Sequence, residues 1–387
     1  MKYLVRLTIL GLLAALAAAA TATAAPAQQQ GSAAQAACAK PKAIKIGATL
    51  PLTGPGAPYG ALFRISLQIA VDHLNAGGGV SGVPITLKVT DSKALAGPAV
   101  ILSNQLIRSD KVQVLVSGYN DPPLAQAPIA ARAKVLILNG GGNDPALANH
   151  PYLWNNTVLI SQEAEKVMTY AKTVLGAKKI AILAATDYTE FDINAVHDIA
   201  NKVFGGDQLL VKFAPTVTDL KPQLQQLAAS KPDRIFLLNS GLLTIAAAKA
   251  ATELNLGIPF LGTSGTLYEP NILQFKSMEG AVADSMTITA AKWYADEFTK
   301  QTKLPANPYG GNYADIGYVV ANVSKALMAQ GKCVTGEEMN NYIKAQTAAG
   351  KPIPGANGPV PYTAAGTSGR SLVINKVVGG KIVQQKG

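Results

Sequence analysis

The stretch 44–91 constrains the fold more than any other part of this chain. It reads IKIGATLPLTGPGAPYGALFRISLQIAVDHLNAGGGVSGVPITLKVTD. A β-branched run at 44–49 enters a Pro- and Gly-rich loop, a helix-period segment covers 59–75, and a second strand-like run covers 85–91. This order predicts a β-loop-α-β unit with a long loop at the carboxyl end of its first strand. In open α/β sheets, ligands bind at that end of the strands.

The first 27 residues have the pattern of a secretory signal peptide. Lys2 and Arg6 form a charged start, residues 7–20 are apolar, and small residues with A-x-A-type cleavage sites follow. A membrane anchor is disfavoured because the apolar run is short, and acylation at Cys38 because Gln35 replaces the expected apolar residue. We expect residues 28–42 to form a disordered lead-in and the mature chain to be periplasmic.

Strand-like and helix-like runs then alternate in two successive sets, which predicts an α/β fold with two doubly wound lobes. The strand-like runs of the first set are 44–49, 85–90, 112–116 and 135–138, and those of the second set are 179–184, 208–213, 234–238 and 259–262. Helix-like segments separate the strands within each set.

The last part of the chain breaks this alternation. Helix-like segments at 291–301, 309–330 and 336–348 follow one another without intervening strands. We expect them to return to the first lobe and cover its sheet. The tail segments 359–362 and 371–385 have the pattern of paired strands.

Several short pieces at the start of the fold resemble a known family. They are Thr53-Gly54-Pro55, Tyr59-Gly60, Ala70, Leu74-Asn75, Gly77-Gly78 and Gly82. In type and spacing they resemble the opening of the periplasmic type I solute-binding proteins of the leucine/isoleucine/valine-binding family, which serve ABC importers.

The resemblance implies two lobes joined by three crossovers, with an interlobe ligand cleft. We place the crossings near 155–157, 287–289 and 358–360. Lobe 1 then comprises 43–156 and 290–358, and lobe 2 comprises 157–289 and 359–387.

The net charge of +11, or +9 without Lys2 and Arg6, raises the question of an anionic partner. The basic residues are scattered, and Lys178-Lys179 is their only adjacent pair. We therefore expect a solvated surface and no nucleic acid.

The two cysteines, Cys38 and Cys333, either form one disulfide or remain free and buried, and the sequence leaves both open.

Enzyme and cofactor chemistry finds little support. The glycines at 77–82 match G-x-G-x-x-G, but they follow a helix and precede a strand, the reverse of a dinucleotide site. The histidines His73, His150 and His197 show no metal-ligand spacing, and no G-x-S-x-G motif occurs. We expect no cofactor, no metal and no catalytic residue.

Two loops of lobe 1 are the candidate carboxylate clamp. Gly140-Gly141-Gly142-Asn143 follows one strand, and its backbone N–H groups form the kind of nest that favours anions. Asn120 follows the neighbouring strand, where Asn120 or Asp121 is expected to cap a helix. The resemblance implies that these loops hold a solute carboxylate, with Asn120 and Asn143 where the family has Ser and Thr. It also places Tyr59 against the ligand.

In lobe 2 the resemblance implies that Tyr188 closes the pocket, together with the loops around Ser240 and Ser264. Amino-acid binders of the family carry an acid near Ser264 to neutralise the substrate's ammonium. A buried ammonium without a counter-charge is costly. Either Asp121, Asp187 or Glu269 supplies that charge, or the ligand has no ammonium, and the second alternative is favoured.

The sequence thus predicts the periplasmic substrate-binding component of a branched-chain-amino-acid-type ABC transporter. It would capture a small carboxylate-bearing solute, either an aromatic or aliphatic acid or an amino acid, by lobe closure and deliver it to a membrane permease. We expect a monomer. The alternatives are a periplasmic sensor for an amide or amino acid, which would use the same pocket, and a hydrolase acting through Ser264.

Overall fold

A computed structural model describes residues 38–54, 56–269 and 271–385. The predicted signal peptide and residues 28–37 of the predicted lead-in lie outside these ranges. No helix among the described residues combines the length and apolarity that crossing a membrane requires.

The first sheet is parallel, with the strand order β2-β1-β3-β4-β5. Its elements are β1 (Ile44–Leu50), α1 (Ala57–Ala76), β2 (Ile85–Asp91), α2 (Ala96–Arg108), β3 (Val114–Ser117), α3 (Asp121–Ala133), β4 (Leu136–Asn139) and β5 (Leu153–Asn155). The strand order reverses between β1 and β3, so the loops at their carboxyl ends diverge and leave a crevice there.

The second sheet has the order β14-β13-β10-β9-β8-β6-β7, in which β13 (Leu372–Val378) and β14 (Lys381–Gln384) come from the end of the chain. Its elements begin with α4 (Ile160–Thr173), β6 (Ile180–Ala185), α5 (Glu190–Phe204), β7 (Leu209–Phe213), α6 (Lys221–Ala229), β8 (Arg234–Leu238), α7 (Leu242–Glu253), β9 (Phe260–Gly262) and β10 (Val282–Met286). The order of the parallel strands reverses between β6 and β8, which makes a second crevice at their carboxyl ends.

The later helices cover the first sheet, as the sequence predicts. They are α8 (Lys292–Thr302), α9 (Pro308–Ala329) and α10 (Gly336–Ala348). Helix α9 packs on α1, and Ile316 and Val320 of α9 share a buried core with Phe63 of α1 and Val116 of β3. Helix α8 packs on α1 as well, and α10 packs on α9 and β4.

The tail pairs differently from the prediction. The strands β11 (Ile353–Gly355) and β12 (Gly358–Val360) form a small antiparallel sheet of their own beside α9. The strands β13 (Leu372–Val378) and β14 (Lys381–Gln384) pair with each other, and β13 adds antiparallel to β10. The segments 359–362 and 371–385 therefore belong to different sheets.

The third crossing lies further along the chain than 358–360. Val360 and Tyr362 are buried in the same core as Trp154 and α9, and the Tyr362 ring packs edge-on to Trp154 at 5.1 Å. The chain joins the second sheet only at Leu372, so it crosses between Tyr362 and that strand. Short apolar strands look alike in sequence, and only their partners reveal the lobe to which they belong.

The end of the predicted lead-in is ordered, which corrects its description as disordered. Cys38 forms a disulfide with Cys333, and its backbone N–H donates to the carbonyl of Gly331 at 2.9 Å. Lys40 Nζ donates to the carbonyl of Ser81 at 2.9 Å. These contacts attach residues 38–42 to the surface of the first lobe ahead of β1.

We expect the disulfide to contribute substantially to stability, because its two cysteines lie 295 positions apart and the cross-link restricts almost the whole chain when it is unfolded. Replacing both with serine should lower the free energy of unfolding by about 2–4 kcal/mol. Urea denaturation of the variant and of the wild type, each with and without reductant, measures this. Equal stabilities without reductant would show that the bond constrains nothing that matters to unfolding.

Candidate functional site

A cavity of about 90 Å³ lies between the two crevices, at the carboxyl ends of both sheets. It is lined by Tyr59, Phe63, Tyr119, Asn120, Gly141, Gly142, Asn143, Thr157, Glu163, Asp187, Tyr188, Ser240, Ser264 and Tyr309. Because one water needs roughly 10–15 Å³ measured in this way, the space suits a small solute of roughly six to nine non-hydrogen atoms.

All seven residues singled out from the sequence lie on this cavity: Tyr59, Asn120, Gly142, Asn143, Tyr188, Ser240 and Ser264. Each of them lies after the carboxyl end of a strand, and only Gly142 and Asn143 follow the same strand. Tyr59 lies in the first turn of α1. Parallel strands bring their carboxyl ends to one edge of the sheet, so residues far apart in sequence meet there.

Asn120 connects two loops of lobe 1 that line one side of the cavity, the loop after β3 and the glycine loop 140–143 after β4. These two loops together are called the lobe 1 wall. Its Oδ1 accepts hydrogen bonds from the backbone N–H groups of Asn143 at 3.0 Å and Asp144 at 3.2 Å. Asn120 occupies the N-cap position of α3, but its side chain makes no capping hydrogen bond, contrary to the prediction that Asn120 or Asp121 caps this helix. The amide oxygen instead fixes the position of the glycine loop relative to the N-terminus of α3.

Gly142 occupies the tightest point of that loop. A Cβ atom there would lie 2.3 Å from the carbonyl oxygen of Tyr119 and 2.7 Å from Asn120 Oδ1. The carbonyl of Gly142 accepts from Asn155 Nδ2 at 2.8 Å and from the hydroxyl of Thr157. A side chain at this position would therefore force the two loops of the wall apart.

We expect Gly142→Ala to weaken solute binding by about tenfold to a hundredfold, since displacing a binding group by about 1 Å costs up to that much. Calorimetric titration with the solute measures the loss. Gly97→Ala is the matched control, because Gly97 lies in α2 with nothing within 4 Å of the added Cβ. Equal affinities for both variants would mean that the position of this loop does not matter to binding.

Glu163 is the site residue that the sequence interpretation missed. It lies in the first turn of α4, is 1% exposed, and lines the cavity. Its Oε2 accepts from Asn143 Nδ2 at 2.8 Å, and its Oε1 accepts from the Ser264 hydroxyl. Asn143 is thus partly occupied, and at most one of its two amide hydrogens remains for a solute.

A second buried carboxyl, Asp284 of β10, lies against Glu163 away from the cavity lining. Burial and the neighbouring Glu163 raise the pKa of Asp284 well above its usual range. Burial also raises the pKa of Glu163, but its hydrogen bonds from Ser264 and Asn143 oppose that rise. The pKa of Asp284 rises further than that of Glu163, so Asp284 is protonated first, and Glu163, which faces the cavity, carries the negative charge when the pair holds one proton.

This corrects the argument built on Ser264. The premise that lobe 2 offers no charge at that point is wrong, because Glu163 reaches Ser264 from another helix. Of the three acids considered instead, Asp187 lines the cavity, Glu269 hydrogen-bonds to Tyr59 just outside the lining, and Asp121 is not part of the lining. No Lys, Arg or His is among the lining residues to neutralise Glu163.

Aromatic rings form the apolar side of the cavity. Phe63 stacks on Tyr313 with ring centroids 4.2 Å apart, and Tyr59 meets Tyr309 edge-on at 5.7 Å. Tyr309, at the start of α9, was also not singled out in the sequence. These rings offer a face to an apolar or aromatic solute body, as offset and edge-on pairs do in protein cores.

Besides a 3.5 Å hydrogen bond from the Thr189 hydroxyl to Asp144, three side-chain hydrogen bonds cross the cleft between lobes. Asn143 donates to Glu163, the hydroxyls of Tyr309 and Ser264 lie 3.0 Å apart, and Tyr59 donates to Glu269. Burial raises the pKa of Glu269 to about 7, although its bonds from Tyr59 and from the N–H of Gly241 oppose that rise. The lobes are therefore in contact around the cavity, in a closed arrangement.

Comparison with known proteins agrees with this geometry. The sequence profile described as periplasmic binding protein matches residues 43–377. The Leu/Ile/Val-binding protein BraC3 of Rhizobium johnstonii is 36% identical over 64 residues. That match spans only 16% of this chain and 17% of the relative.

Solved structures cover nearly the whole fold. The branched-chain amino acid transporter substrate-binding protein LivJ from Streptococcus pneumoniae, in complex with isoleucine, has a TM-score of 0.76 at 20% identity, over 89% of this chain and 100% of that one. A solute-binding protein of an ABC transporter from R. palustris, in complex with benzoate, has a TM-score of 0.74 at 20% identity, over 88% and 95% of the two chains. Both share the two-lobed α/β fold, which is the type I fold of periplasmic binding proteins, and the profile match shows that this chain belongs to the periplasmic binding proteins.

Proposed function

We propose that this protein captures a small carboxylate-bearing solute in the periplasm by lobe closure and delivers it to the membrane permease of a branched-chain-amino-acid-type ABC transporter. Solved relatives of the same fold hold isoleucine in one case and benzoate in another. The proposal therefore covers amino acids and aromatic or aliphatic acids, and the cavity's own groups favour one of these classes.

The observation that carries this proposal is the separation of charge across the cavity. The lobe 1 wall contributes the glycine loop, two asparagines and the N-terminal end of α3, and no acidic side chain. Backbone N–H groups at a helix N-terminus and in a glycine nest favour a carboxylate. The acidic lining residues, Glu163 and Asp187, both come from lobe 2.

A solute that carries a carboxylate and an ammonium matches both walls at once. Its ammonium would give Glu163 the counter-charge that the lining residues lack. A carboxylate solute without an ammonium would leave the Glu163 carboxylate without a counter-charge. We therefore infer that an amino acid binds more tightly than the corresponding plain acid, which reverses the preference drawn from Ser264. The aromatic wall suits an apolar side chain.

A thermal-shift screen of residues 28–387 tests the proposal against amino acids, aromatic acids, short fatty acids and amides. A solute present at 100 times its Kd should stabilise the protein by about 2.7 kcal/mol. Stabilisation by amino acids with apolar side chains is the expected result. Stabilisation only by uncharged amides would contradict the proposal that the solute carries a carboxylate. No stabilisation by any compound would contradict the proposal of solute capture.

A further inference from the structure

Two carboxyl groups face each other across the lobes outside the cavity lining. Asp144 lies in the lobe 1 loop after β4, and Asp192 lies in the first turn of α5 in lobe 2. They are 1% and 0% exposed. The hydroxyl of Thr189 lies 3.5 Å from Asp144 Oδ2 and 3.0 Å from Asp192 Oδ2, so the two carboxyls share one neighbour.

Their hydrogen bonds are incomplete. Asp144 Oδ1 accepts from the N–H of Ala146 at 2.6 Å, and the single hydroxyl proton of Thr189 serves either Asp144 or Asp192 at one time. Asp192 Oδ1 is buried without a partner among the described residues. Within those residues no Lys, Arg or His forms an ion pair with either acid.

The surrounding elements also offer no neutralising charge. The titratable groups of these elements come from three helices and one loop. They are Glu163, Glu165, Lys166, Tyr170 and Lys172 on α4, Asp187 and Tyr188 before α5, Glu190, His197, Asp198 and Lys202 on α5, and Asp121 and Arg132 on α3. The basic members of this set are not among the causes that shift Asp192. Burial first, and then Asp144, raise the pKa of Asp192 to about 7, although Thr189 opposes them.

We propose that Asp144 and Asp192 form a proton-sharing latch, so that lobe closure takes up one proton. With the lobes apart, the two carboxyls are separated, and Asp192 returns towards the ordinary ionisation of an aspartate. On closure a proton from solvent binds one of them and donates to the other, which replaces carboxylate repulsion with a hydrogen bond. This inference rests on the proposed closure around a solute and adds to it a dependence on pH.

The direction of the pH dependence of closure follows from the pKa values of Asp192 in the open and closed forms. In the open form Asp192 has an ordinary aspartate pKa of about 3.9, and in the closed form it rises to about 7. Between these values the closed form binds more protons, so closure weakens as pH rises through the window. One proton gives at most about a tenfold loss of affinity per pH unit, and this contribution levels off above about pH 7.

Calorimetric titration with leucine tests the latch in wild type, Asp192→Asn and Asp198→Asn. Between about pH 5 and about pH 8, the wild-type Kd should rise up to about a hundredfold more than that of Asp192→Asn. An asparagine amide donates to Asp144 at any pH, so that variant should lose this dependence. Asp198 is exposed on the same helix, and its variant should follow the wild type. The other buried acids titrate equally in all three proteins.

A solute-free measurement separates the latch from solute capture. Small-angle scattering should show a smaller radius of gyration for the wild type at about pH 5 than at about pH 8, and a small radius for Asp192→Asn at both. Asp144→Asn should behave like Asp192→Asn. The same pH response in the wild type and both asparagine variants would overturn the latch. Closure of the wild type by millimolar Ca²⁺ at high pH would also overturn it, in favour of a bridging cation.

Discussion

Glu163→Gln should weaken the binding of an amino acid by about 2–4 kcal/mol, or roughly 30-fold to 1000-fold, while the matching acid without an amino group should bind at least as tightly as before, because its carboxylate no longer meets a negative Glu163. Leucine and 4-methylpentanoate form such a pair, because they share a branched apolar chain and a carboxylate and differ in the ammonium. The reason is that Glu163 is buried on the cavity and no basic side chain lines it. Calorimetric titration of both solutes into both proteins measures the effect.

Glutamine keeps the shape of Glu163 and can still accept one hydrogen bond from Ser264 or Asn143. The matched control is Glu165→Gln on the same helix, where the side chain is 56% exposed and pairs with Lys202 at 3.5 Å. An equal loss for both solutes in Glu163→Gln would mean that Glu163 only holds the loops in place. A wild type that binds 4-methylpentanoate more tightly than leucine would contradict the proposal that the solute carries an ammonium.

The location of the cavity was predictable from the sequence because it follows from topology. Once strands and helices alternate, the residues after each strand must gather at one edge of each sheet. Tyr59, Asn120 and Asn143 could therefore be placed together without knowing any distance between them. Topology likewise places Tyr188, Ser240 and Ser264 after strands of the second sheet, whereas the expectation that they face a solute came from the family resemblance.

Glu163 was not predicted as a site residue because it lies in a helix and not in a loop after a strand. It falls on the buried face of α4 with Ile160, Ala164 and Val167, at helical spacing. A charged residue on an otherwise apolar stripe is a signal in its own right, because buried acids require partners. That signal locates an unusual residue, but only the folded chain reveals that it reaches Ser264, 101 positions away.

The element boundaries in the alternating part of the chain were predictable to within a few residues, whereas contacts between distant segments were not. The resemblance led to the assignment of 358–360 as a crossing between lobes, yet this segment pairs with Ile353–Gly355. Residues 38–42 have the composition of a disordered lead-in, but Cys38 is bonded to Cys333. The strands β11 and β12 are close in sequence, but they are held in lobe 1 by packing against α9, just as Cys38 is held by Cys333, and the local sequence pattern carries no information about such distant contacts.

The largest loss of stability should come from Arg370→Met, at about 3–5 kcal/mol. Arg370 lies on the third crossing and its Nη2 is 2.5 Å from Asp315 Oδ2 of α9, with side-chain exposures of 3% and 0%. Methionine fills part of the volume but leaves Asp315 buried without its counter-charge. Burial raises the pKa of Asp315, and Arg370 is the first cause that opposes the rise.

The direction of the pH dependence separates this mechanism from lost packing. Without Arg370 the pKa of folded Asp315 rises further above its unfolded value of about 3.9, so the variant should lose more stability at neutral pH than in mild acid. Adding Asp315→Asn should restore much of the loss, because the amide oxygen can still accept from the N–H of Asn357, which lies 2.7 Å from Asp315 Oδ1. Urea unfolding of the single and double variants tests this. A deficit that is the same at both pH values and unrelieved in the double variant would show that Arg370 acts through its packed side chain and not through its charge.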